Sequence, residues 1–320
     1  MLVTLSEIQG AAANIHGIAV RTPLLSSPTW PTLRIKPENL QPIGAFKLRG
    51  AVHALARLPE SARAAGVVAH SSGNHAQAVA FAARRLGMPC AVVMPDVSAP
   101  VKVDAVRALG AEVHLVPMAD REPRTLAIAA ERGMTVIPPY DHRDIIAGQG
   151  TVGLEIAADA PSLGAVLVPV GGGGLASGVA TAVKALSPST LVIGVEPELA
   201  ADAVESLAAG SVVRWTPELT VRTAADGLRT NLSELTLAHL RAHLDGIITV
   251  TEDEILSTVG SLARTVRIVA EPSGAVAPAA YLHRRGELTE RFALAPDAQV
   301  VAVVTGGNLA AELLATLVTR

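Results

Sequence analysis

The sequence predicts an α/β protein built from two doubly wound, open parallel sheets. Short aliphatic segments alternate with Ala-rich segments of helical spacing along most of the chain. The aliphatic segments are continuous runs rather than alternating ones, which is typical of strands that helices cover on both faces. The length of 320 residues corresponds to about two domains at ~150 residues each. Two sheets therefore fit the pattern better than one.

The predicted strands are aliphatic runs that end near glycine or polar residues. They are residues 66–70, 90–94, 112–116, 134–137, 165–170, 191–195, 246–250 and 299–304. Helices are predicted over residues 74–86, through 102–109 and through 126–131. In the first of these, Ala78, Val79, Ala82 and Ala83 fall on one apolar side. Gly133 follows the third helix and suits a C-terminal cap.

The strand and helix alternation predicts a discontinuous domain arrangement. Residues 57–142 have their own alternation and are predicted to form a small mobile domain. Residues 1–56 and 143–320 are predicted to form the large domain. A ligand in such a protein is expected at the carboxyl ends of the strands.

Composition excludes several classes of function. The net charge of −3 provides no basic field for a polyphosphate backbone, which argues against nucleic acid as a partner. Cys90 is the one cysteine, so no intrachain disulfide or cysteine metal cage is possible, and a reducing, cytoplasmic compartment is expected. The apolar N-terminal stretch is interrupted by Glu7, Gln9 and Asn14, unlike a signal peptide. No run predicts a membrane span.

Lys47 is the first candidate for chemistry. It follows Gly44, Ala45 and Phe46 in mostly apolar surroundings. Desolvation lowers the pKa of a lysine, and only the neutral amine attacks a carbonyl to form an imine. The alternative is an ordinary surface lysine in a turn.

A second candidate is the segment Ser-Ser-Gly-Asn-His-Ala-Gln from Ser71 to Gln77, between a predicted strand and helix. Free amides at a helix start attract anions, and Ser and Asn suit N-capping. A plain cap accounts for one such side chain. It does not account for five hydrogen-bonding side chains in seven residues, so a carboxylate site is predicted here.

A third candidate is the run Gly171, Gly172, Gly173 and Gly174, which follows a strand and opens a helix. Side-chain-free backbone at a helix N-terminus can bind a phosphate through several N–H groups. A dinucleotide site remains an alternative, because Glu196 lies 22 residues beyond Gly174. A purely structural turn is a further alternative.

A fourth candidate is Thr305, at the end of the last predicted strand. It offers a neutral hydroxyl that could meet a ring nitrogen.

Together these segments resemble the fold-type II pyridoxal-phosphate enzymes, in their serine/threonine dehydratase and serine racemase branch, whose fold is like that of the tryptophan synthase β subunit. The resemblance spans nearly the whole chain. It is carried in order by the lysine motif, Ser-Ser-Gly-Asn-His, the tetraglycine, Glu-Pro-Ser-Gly from Glu271 and Thr-Gly-Gly-Asn from Thr305. Segments 146–151 and 225–228 are also similar to the family.

The resemblance implies a bound pyridoxal 5′-phosphate in the cleft between the two domains. Lys47 would hold it as an internal imine, with Phe46 beside the ring. The phosphate would lie among the four glycines, with Leu175 closing the cup. The remaining cofactor contacts implied are Asn74 at the phenolic oxygen, Thr305 at the pyridine nitrogen and Glu271 near the cofactor edge. The substrate carboxylate would lie among Ser71, Ser72, Asn74, His75 and Gln77.

The implied reaction is that of an ammonia-lyase. A hydroxyl such as that of Thr305 cannot keep the pyridine nitrogen charged, so early expulsion of a β-hydroxyl is favoured over a long-lived carbanion. L-Serine, L-threonine or a relative such as 3-hydroxyaspartate would give a 2-oxo acid and ammonia through aminoacrylate. Lys47 would be the base on one face of Cα. Ser72 would occupy the opposite face, which keeps amino-acid racemisation open, and β-replacement is a further alternative. A non-catalytic nucleotide- or phosphate-binding protein is the alternative from another class.

A divalent cation and a homodimer are also implied. Glu196, the Ala200 carbonyl and Asp202 match the metal loop of the racemases and dehydratases, and an all-oxygen site suits Mg²⁺, Mn²⁺ or Ca²⁺. On spacing alone, a solvated acidic helix start is an equal alternative. The homodimer is expected from the resemblance alone.

Overall fold

The computed structural model describes residues 1–71, 73–98 and 100–319. Its strands are β1 (Leu25–Ser27), β2 (Trp30–Pro37), β3 (Val67–His70), β4 (Cys90–Pro95), β5 (Glu112–Val116), β6 (Thr135–Val136), β7 (Ala165–Pro169), β8 (Leu191–Pro197), β9 (Gly246–Val250) and β10 (Val300–Val304). Its helices are α1 (Leu5–Ile15), α2 (Lys47–Ala56), α3 (Glu60–Ala65), α4 (Asn74–Arg85), α5 (Pro100–Ala108), α6 (Arg121–Arg132), α7 (Arg143–Asp159), α8 (Gly174–Leu186), α9 (Asp202–Ala209), α10 (Pro217–Thr220), α11 (Glu234–His243), α12 (Glu252–Thr265), α13 (Pro272–His283), α14 (Arg285–Phe292) and α15 (Ala311–Val318).

The strands form two sheets, as predicted. The larger sheet has the order β1-β2-β10-β7-β8-β9, and all its pairs are parallel except the β1–β2 pair at the edge. From β7 the chain proceeds through β8 to β9, and then returns to place β10 on the other side of β7. The strand order thus reverses between β7 and β10, and ligands bind at such reversals.

The smaller sheet repeats this arrangement. Its order is β5-β4-β3-β6, and all pairs are parallel. The chain proceeds from β3 to β5 and returns to place β6 beside β3, so the reversal lies between β3 and β6. The segments that follow β3, β6, β7 and β10 therefore leave their sheets at the two reversals. These are the segments that contain residues 71–77, 137–140, 171–174 and 305–308.

Continuous aliphatic strands are covered on both faces. Strand β10 is buried throughout, and its side chains alternate between two clusters. One cluster lies under α12, α13 and α15, and the other under α8 and α11. Helices on each side of the sheet thus explain the continuous aliphatic runs of its strands.

Glycines let α7 approach closely both α2, which begins at Lys47, and α8. A Cβ on Gly148 of α7 would lie 2.7 Å from the Arg49 carbonyl oxygen of α2, and one on Gly153 would lie 2.8 Å from the Val179 carbonyl oxygen of α8. A larger side chain at either position would push the helices apart. Helix α2, which begins at Lys47, is held in this way against α7, and α7 against α8.

The predicted strands agree with the observed ones to within two residues at either end. Strands β1 and β2 were missed, because β2 contains Pro31, Arg34 and Lys36 and does not form an aliphatic run. Lys36 is nevertheless fully buried, since charged partners surround it. Within the described residues no helix is long and apolar enough to cross a membrane. The boundaries of the two domains stay a prediction.

Candidate active site

Lys47 is the first residue of α2, and its amine faces a carbonyl of the segment that follows β6. Its Nζ donates to the Pro139 carbonyl oxygen at 2.8 Å and lies 5.1 Å from the centre of the Phe46 ring. Solvent reaches part of the side chain, but protein surrounds the amine, and this burial lowers the pKa of Lys47 to about 8. About a tenth of the amine is therefore neutral at pH 7, and about half at pH 8.

The segment before Lys47 is fixed by the end of the last strand. The Phe46 amide donates to the Thr305 carbonyl oxygen at 3.0 Å, and Ala45 pairs with Gly306 in an isolated antiparallel bridge. Gly44 has a φ of +71°, which favours glycine, and its carbonyl oxygen accepts from the Gly307 amide at 2.9 Å. Residues far apart in sequence thus position the lysine together.

The predicted carboxylate segment lies after β3, at the start of α4. Ser71 Oγ accepts from the Gly73 amide at 3.2 Å. Asn74 is the first residue of α4, and an unpaired amide at a helix start suits an anion. Gln77 is half-buried on the same helix. Ser72, predicted to act on the opposite face of the substrate, lies outside the described residues.

His75 is a neutral, buried histidine. Its Nε2 lies 2.9 Å from the Ile137 carbonyl oxygen. Burial, and secondly the nearby charge of Lys47, lowers the pKa of His75 to about 3. The neutral ring donates to the carbonyl and links the start of α4 to the segment after β6.

Asn74 is held by two partners that come from distant parts of the chain. Its Nδ2 donates to Glu271 Oε1 at 2.7 Å, and its Oδ1 accepts from Asn308 Nδ2 at 2.8 Å. Asn308 Nδ2 also donates to the Ile43 carbonyl oxygen at 2.8 Å. These contacts fix the amide orientation of Asn74 and leave its second N–H free for another acceptor.

Glu271 is a buried carboxyl group with a raised pKa. Burial, and secondly the negative charge of Asp226, raises the pKa of Glu271 to about 8. Its backbone amide donates to the Gly306 carbonyl oxygen at 3.0 Å. The side chain is therefore mostly protonated near neutral pH, although sequence alone gave it no definite role.

The tetraglycine segment has the backbone that a phosphate requires. Gly171 to Gly174 are buried, and α8 begins at Gly174 with Leu175 buried behind it. Within the described residues, the amides of Gly171, Gly172 and Gly173 donate to no protein acceptor. Gly173 has a φ of +83°, a conformation that favours glycine. Buried amides without a partner at a helix N-terminus fit the phosphate of pyridoxal phosphate.

Tyr140 connects this segment to Lys47. A Cβ on Gly172 would collide with the Tyr140 ring, and one on Gly174 would lie 2.9 Å from Tyr140 Cβ. Tyr140 directly follows Pro139, whose carbonyl oxygen accepts from Lys47 Nζ. Lys47 and the tetraglycine segment therefore contact consecutive residues of the segment after β6, which suits a cofactor with an aldehyde and a phosphate.

Thr305 lies at the carboxyl end of β10 and is buried. Its Oγ1 donates to the Ser273 carbonyl oxygen at 3.2 Å. Ser273 Oγ accepts from the Gly227 amide at 2.9 Å and lies 3.4 Å from Asp226 Oδ1. A hydroxyl at this position can meet a ring nitrogen but carries no charge.

The predicted cation loop is buried beside the same sheet. Glu196 accepts from the amides of Ala203 and Val204 at 3.1 and 2.9 Å. Asp202 Oδ2 accepts from the Leu232 amide at 3.2 Å, whereas its Oδ1 is buried without a partner among the described residues. Burial raises the pKa of Asp202 to about 6 and that of Glu196 well above its usual range, with Asp202 adding to the latter. No group of three or more His, Cys, Asp or Glu in the described chain is arranged to hold a metal.

The sequence analysis assigned no role to three participants in this geometry. Tyr140 lies on the tetraglycine segment, Asn308 orients Asn74, and Asp226 lies against Ser273. Asn308 and Asp226 stand in segments that resemble the family, and this was the signal that could have found them. The contact of Tyr140 depends on how the two sheets face each other.

Comparison with known proteins identifies the family. Residues 16–311 match the family described as "Pyridoxal-phosphate dependent enzyme". L-threo-3-hydroxyaspartate ammonia-lyase of Saccharomyces cerevisiae is 38% identical over 325 residues, which cover 98% of this chain and 96% of that protein.

Two solved structures are similar over almost their whole length. A threonine deaminase from the organism abbreviated T.th. has a TM-score of 0.88 and 43% identity, covering 96% of this chain and 99% of that one. Maize serine racemase has a TM-score of 0.93 and 34% identity, covering 99% and 97%. The predicted fold and the predicted class of enzyme, a pyridoxal-phosphate-dependent lyase, are confirmed. The chain belongs to the pyridoxal-phosphate-dependent enzymes of fold type II, in the serine/threonine dehydratase and serine racemase branch.

Proposed function

We propose that this chain is an ammonia-lyase that converts a small β-hydroxy amino acid into a 2-oxo acid and ammonia. One observation carries the proposal: an amine with a pKa of about 8 contacts Pro139, and the next residue, Tyr140, lies against the tetraglycine segment with its unpaired amides. The relatives named threonine deaminase and hydroxyaspartate ammonia-lyase support this reaction class.

Lys47 is proposed to hold pyridoxal phosphate and to remove the Cα proton. The cofactor, when bound, supplies an electron sink for the carbanion formed at Cα. Gly171, Gly172, Gly173 and Gly174 would hold its phosphate, and the free N–H of Asn74 would meet its phenolic oxygen. Since Thr305 Oγ1 donates to Ser273, it would have to turn to donate to the ring nitrogen. A hydroxyl partner leaves that nitrogen uncharged, which favours elimination over a long-lived carbanion.

The start of α4 is proposed to bind the substrate carboxylate. The residues we assign to it are Ser71, Ser72, Asn74, His75 and Gln77. Because the His75 ring is neutral and directed to Ile137, it shapes the site and contributes no charge. The unpaired amides of the helix start would supply the attraction. Ser72 is also the group we assign to any minor racemisation, on the face opposite Lys47.

Arg121 favours a substrate with a second carboxylate. It is half-buried at the start of α6, and its Nε donates to the Met118 carbonyl oxygen at 3.1 Å. Among the described residues it forms no ion pair, and burial lowers its pKa. Its charge also contributes, after burial, to the lowered pKa of His70, which directly precedes Ser71. We therefore propose 3-hydroxyaspartate as a preferred substrate beside L-threonine and L-serine.

A substrate panel tests the proposal. Ammonia and 2-oxo acid should form from at least one of L-serine, L-threonine and 3-hydroxyaspartate, and Lys47→Ala should abolish both. The matched control is Lys184→Ala, which removes a lysine paired with Asp245 at 2.7 Å away from the site. Full activity of Lys47→Ala, or D-amino acid as the main product of the wild type, would contradict the proposed reaction.

Arg121→Met tests the choice of side chain. A lost charged hydrogen bond costs about 1.5–3 kcal/mol, so kcat/KM for 3-hydroxyaspartate should fall about 10- to 100-fold. The kcat/KM for L-threonine, which has no second carboxylate, should change less than about twofold. Equal losses for both substrates would remove the specificity role.

We further propose a divalent cation at Glu196, the Ala200 carbonyl and Asp202. The support is that both carboxyls are buried, that the charge of Asp202 reaches Glu196, and that Asp202 Oδ1 has no partner within the described residues. Mg²⁺, Mn²⁺ or Ca²⁺ should raise the melting temperature of the wild type and leave that of Asp202→Asn unchanged. Equal shifts in both proteins would place the cation elsewhere.

A homodimer and a cytoplasmic location complete the proposal. The homodimer is carried over from the family resemblance and is testable by sedimentation. Cys90 is a free thiol, and burial raises its pKa to about 12, which fits a structural residue in a reducing compartment.

A further inference from the structure

Lys102 and Asp226 join the two sheet units across the cleft. Lys102 lies on α5, which follows β4 of the smaller sheet, and Asp226 lies in the 3₁₀ turn Asp226–Leu228 between α10 and α11 of the larger unit. Lys102 Nζ donates to Asp226 Oδ2 at 3.2 Å. The two residues are separated by 124 positions in the chain. The contact therefore depends on how the units are placed.

The pair stands at the mouth of the candidate active site. A Cβ on Gly73 would have Lys102 Nζ as its nearest neighbour, at 4.0 Å, so the amine overlies the carboxylate segment. On the other side, Asp226 Oδ1 lies 3.4 Å from Ser273 Oγ, and the Ser273 carbonyl accepts from Thr305. One partner thus borders the predicted substrate side and the other borders the predicted cofactor side.

The exposure of the pair suits a contact that opens and closes. The side chains of Lys102 and Asp226 are 32% and 48% exposed. Exposed ion pairs are weak and screened by salt, so thermal motion breaks them readily. Another ion pair that crosses between the units, Arg57 with Asp144 at 2.8 Å, lies where the chain passes from one unit to the other. That pair would persist through a hinge motion, whereas Lys102 and Asp226 would separate.

We propose that the Lys102–Asp226 ion pair is a clasp that holds the cleft closed and must open to admit cofactor and amino acid. The inference rests on the proposed function for the identity of the cleft. Because the clasp would close the cleft both before and after binding, breaking it should speed binding and release and leave the equilibrium affinity nearly unchanged. Closure over a bound substrate would exclude water from the reacting atoms.

The test measures how fast apo-protein binds pyridoxal phosphate, by stopped-flow absorbance near ~410–420 nm, a property of the cofactor. Lys102→Met should bind about three- to fivefold faster, in keeping with the strength of an exposed pair. Lys102→Glu, which sets two carboxylates against each other, should be faster still. The double variant Lys102→Glu/Asp226→Lys should return to within about twofold of the wild type.

Salt and a matched pair serve as controls. Wild-type binding should accelerate by a similar factor at high NaCl, after correction for the salt response of Lys102→Met, which should be smaller. Lys184→Met, which removes an ion pair confined to the larger unit, should bind at the wild-type rate. Small-angle scattering of the apo-proteins should give a larger radius of gyration for Lys102→Glu than for the wild type.

Three outcomes would overturn the clasp: an unchanged rate in Lys102→Met, the same acceleration in Lys184→Met, or a folded double variant that remains as fast as Lys102→Glu. If the double variant does not fold, the salt response and Lys102→Met decide. Binding of pyridoxal phosphate is measured without turnover. The binding kinetics can therefore contradict the clasp while the ammonia assay supports the proposed function. The opposite combination of results is also distinguishable.

Discussion

At the scale of single residues, the site depends on groups whose charge is changed by burial. Lys47 has a lowered pKa and Glu271 a raised one, and both shifts have desolvation as their main cause. Each shift favours the neutral form, so the centre of the cleft carries less charge than its sequence suggests. With pKa values of about 8, the amine and the carboxyl can each exchange a proton near neutral pH.

The rate at which apo-protein captures pyridoxal phosphate should follow the neutral fraction of Lys47. With a pKa of about 8, the rate should rise about tenfold between pH 6 and pH 7 and level off above pH 8 to 9. Stopped-flow absorbance measures it. A free lysine side chain, with a pKa of ~10.4, is the control and should continue to accelerate to pH 10. A protein profile parallel to that control would show that Lys47 is not desolvated.

Glu271 should make the apo-protein less stable as pH rises. Its pKa is raised from 4.5 to about 8, so between those values the folded state holds a proton that the unfolded state has lost. The free energy of unfolding therefore falls as pH rises through this window. Glu271→Gln keeps the acceptor for Asn74 and removes the titration. Urea unfolding should show the variant gaining on the wild type from pH 5 to pH 8, and a constant difference would contradict the raised pKa.

Asn74 shows which part of the site could be predicted from the sequence and which part could not. Its place after a strand and its resemblance to a family motif predicted a site residue. Its orientation comes from Glu271 and Asn308, which lie 197 and 234 positions away. No local pattern encodes such a distance, so the partners had to come from the fold. Lys36 shows a different limit of prediction. Its charge interrupts the aliphatic pattern, so β2 was not predicted as a strand although Lys36 is buried.

At the scale of elements, helix termini and helix contacts shape the site. Helices α2, α4 and α8 begin at Lys47, Asn74 and Gly174, so three N-termini border the cleft. The sequence predicted two of them, at Asn74 and after the tetraglycine, because glycine and polar residues interrupt aliphatic runs there. It did not predict the start of α2, whose first turn has no side-chain cap.

The tetraglycine should tolerate no side chain at its second position. A Cβ at Gly172 would collide with the Tyr140 ring, so Gly172→Ala should weaken pyridoxal phosphate binding by at least about tenfold, which corresponds to about 1.4 kcal/mol. Absorbance titration measures it. Gly10→Ala, on α1 with no atom near the added Cβ, is the control and should bind normally. Equal affinity in both variants would mean that the tetraglycine segment accommodates the added methyl group.

Helix α2 is fixed by a buried ion network. Arg49 Nε donates to Glu38 at 2.7 Å and its Nη1 to Glu155 at 2.7 Å, while Lys36 Nζ contacts Glu155 at 2.5 Å. Arg49, Lys36 and Glu38 are fully buried. The network joins β2, α2 and α7, and it lies two residues beyond Lys47.

Removal of Arg49 should leave the buried Glu38 carboxylate without its cation partner, while Glu155 keeps Lys36. Breaking a buried pair costs about 3–5 kcal/mol, so Arg49→Met should lower the free energy of unfolding by that amount in urea denaturation. Arg107→Met removes an exposed pair with Asp104 and should cost less than about 1 kcal/mol. Comparable losses in the two variants would show that the network is weak.

At the scale of the whole molecule, two similar units face each other through the reversals in their strand orders. Continuous aliphatic runs predicted both sheets, because burial on both faces leaves a strong local signal. Which loops meet was expected only from the family resemblance, since it depends on the packing of one unit against the other. Tyr140 on the tetraglycine is one such contact.

Pyridoxal phosphate should stabilise the folded chain as a whole. A ligand that binds only the folded state adds about 2.7 kcal/mol at 100 times its Kd, so the melting temperature should rise with cofactor concentration. Differential scanning calorimetry measures the rise. Pyridoxine, which lacks the aldehyde and the phosphate, is the control and should produce no shift. An equal shift with pyridoxine would point to binding outside the site.

The position of β10 bears on how the protein is made. It is the last strand in the chain, yet it lies between β2 and β7 in the interior of the larger sheet. The loop after it holds the segment before Lys47 through Phe46 and Asn308. When a ribosome has translated the chain only as far as α14, Lys47 has been synthesised, but the residues after β10 that fix the segment before it have not. Acquisition of the vitamin B6 derivative should be a post-translational event, and truncated nascent chains should remain colourless.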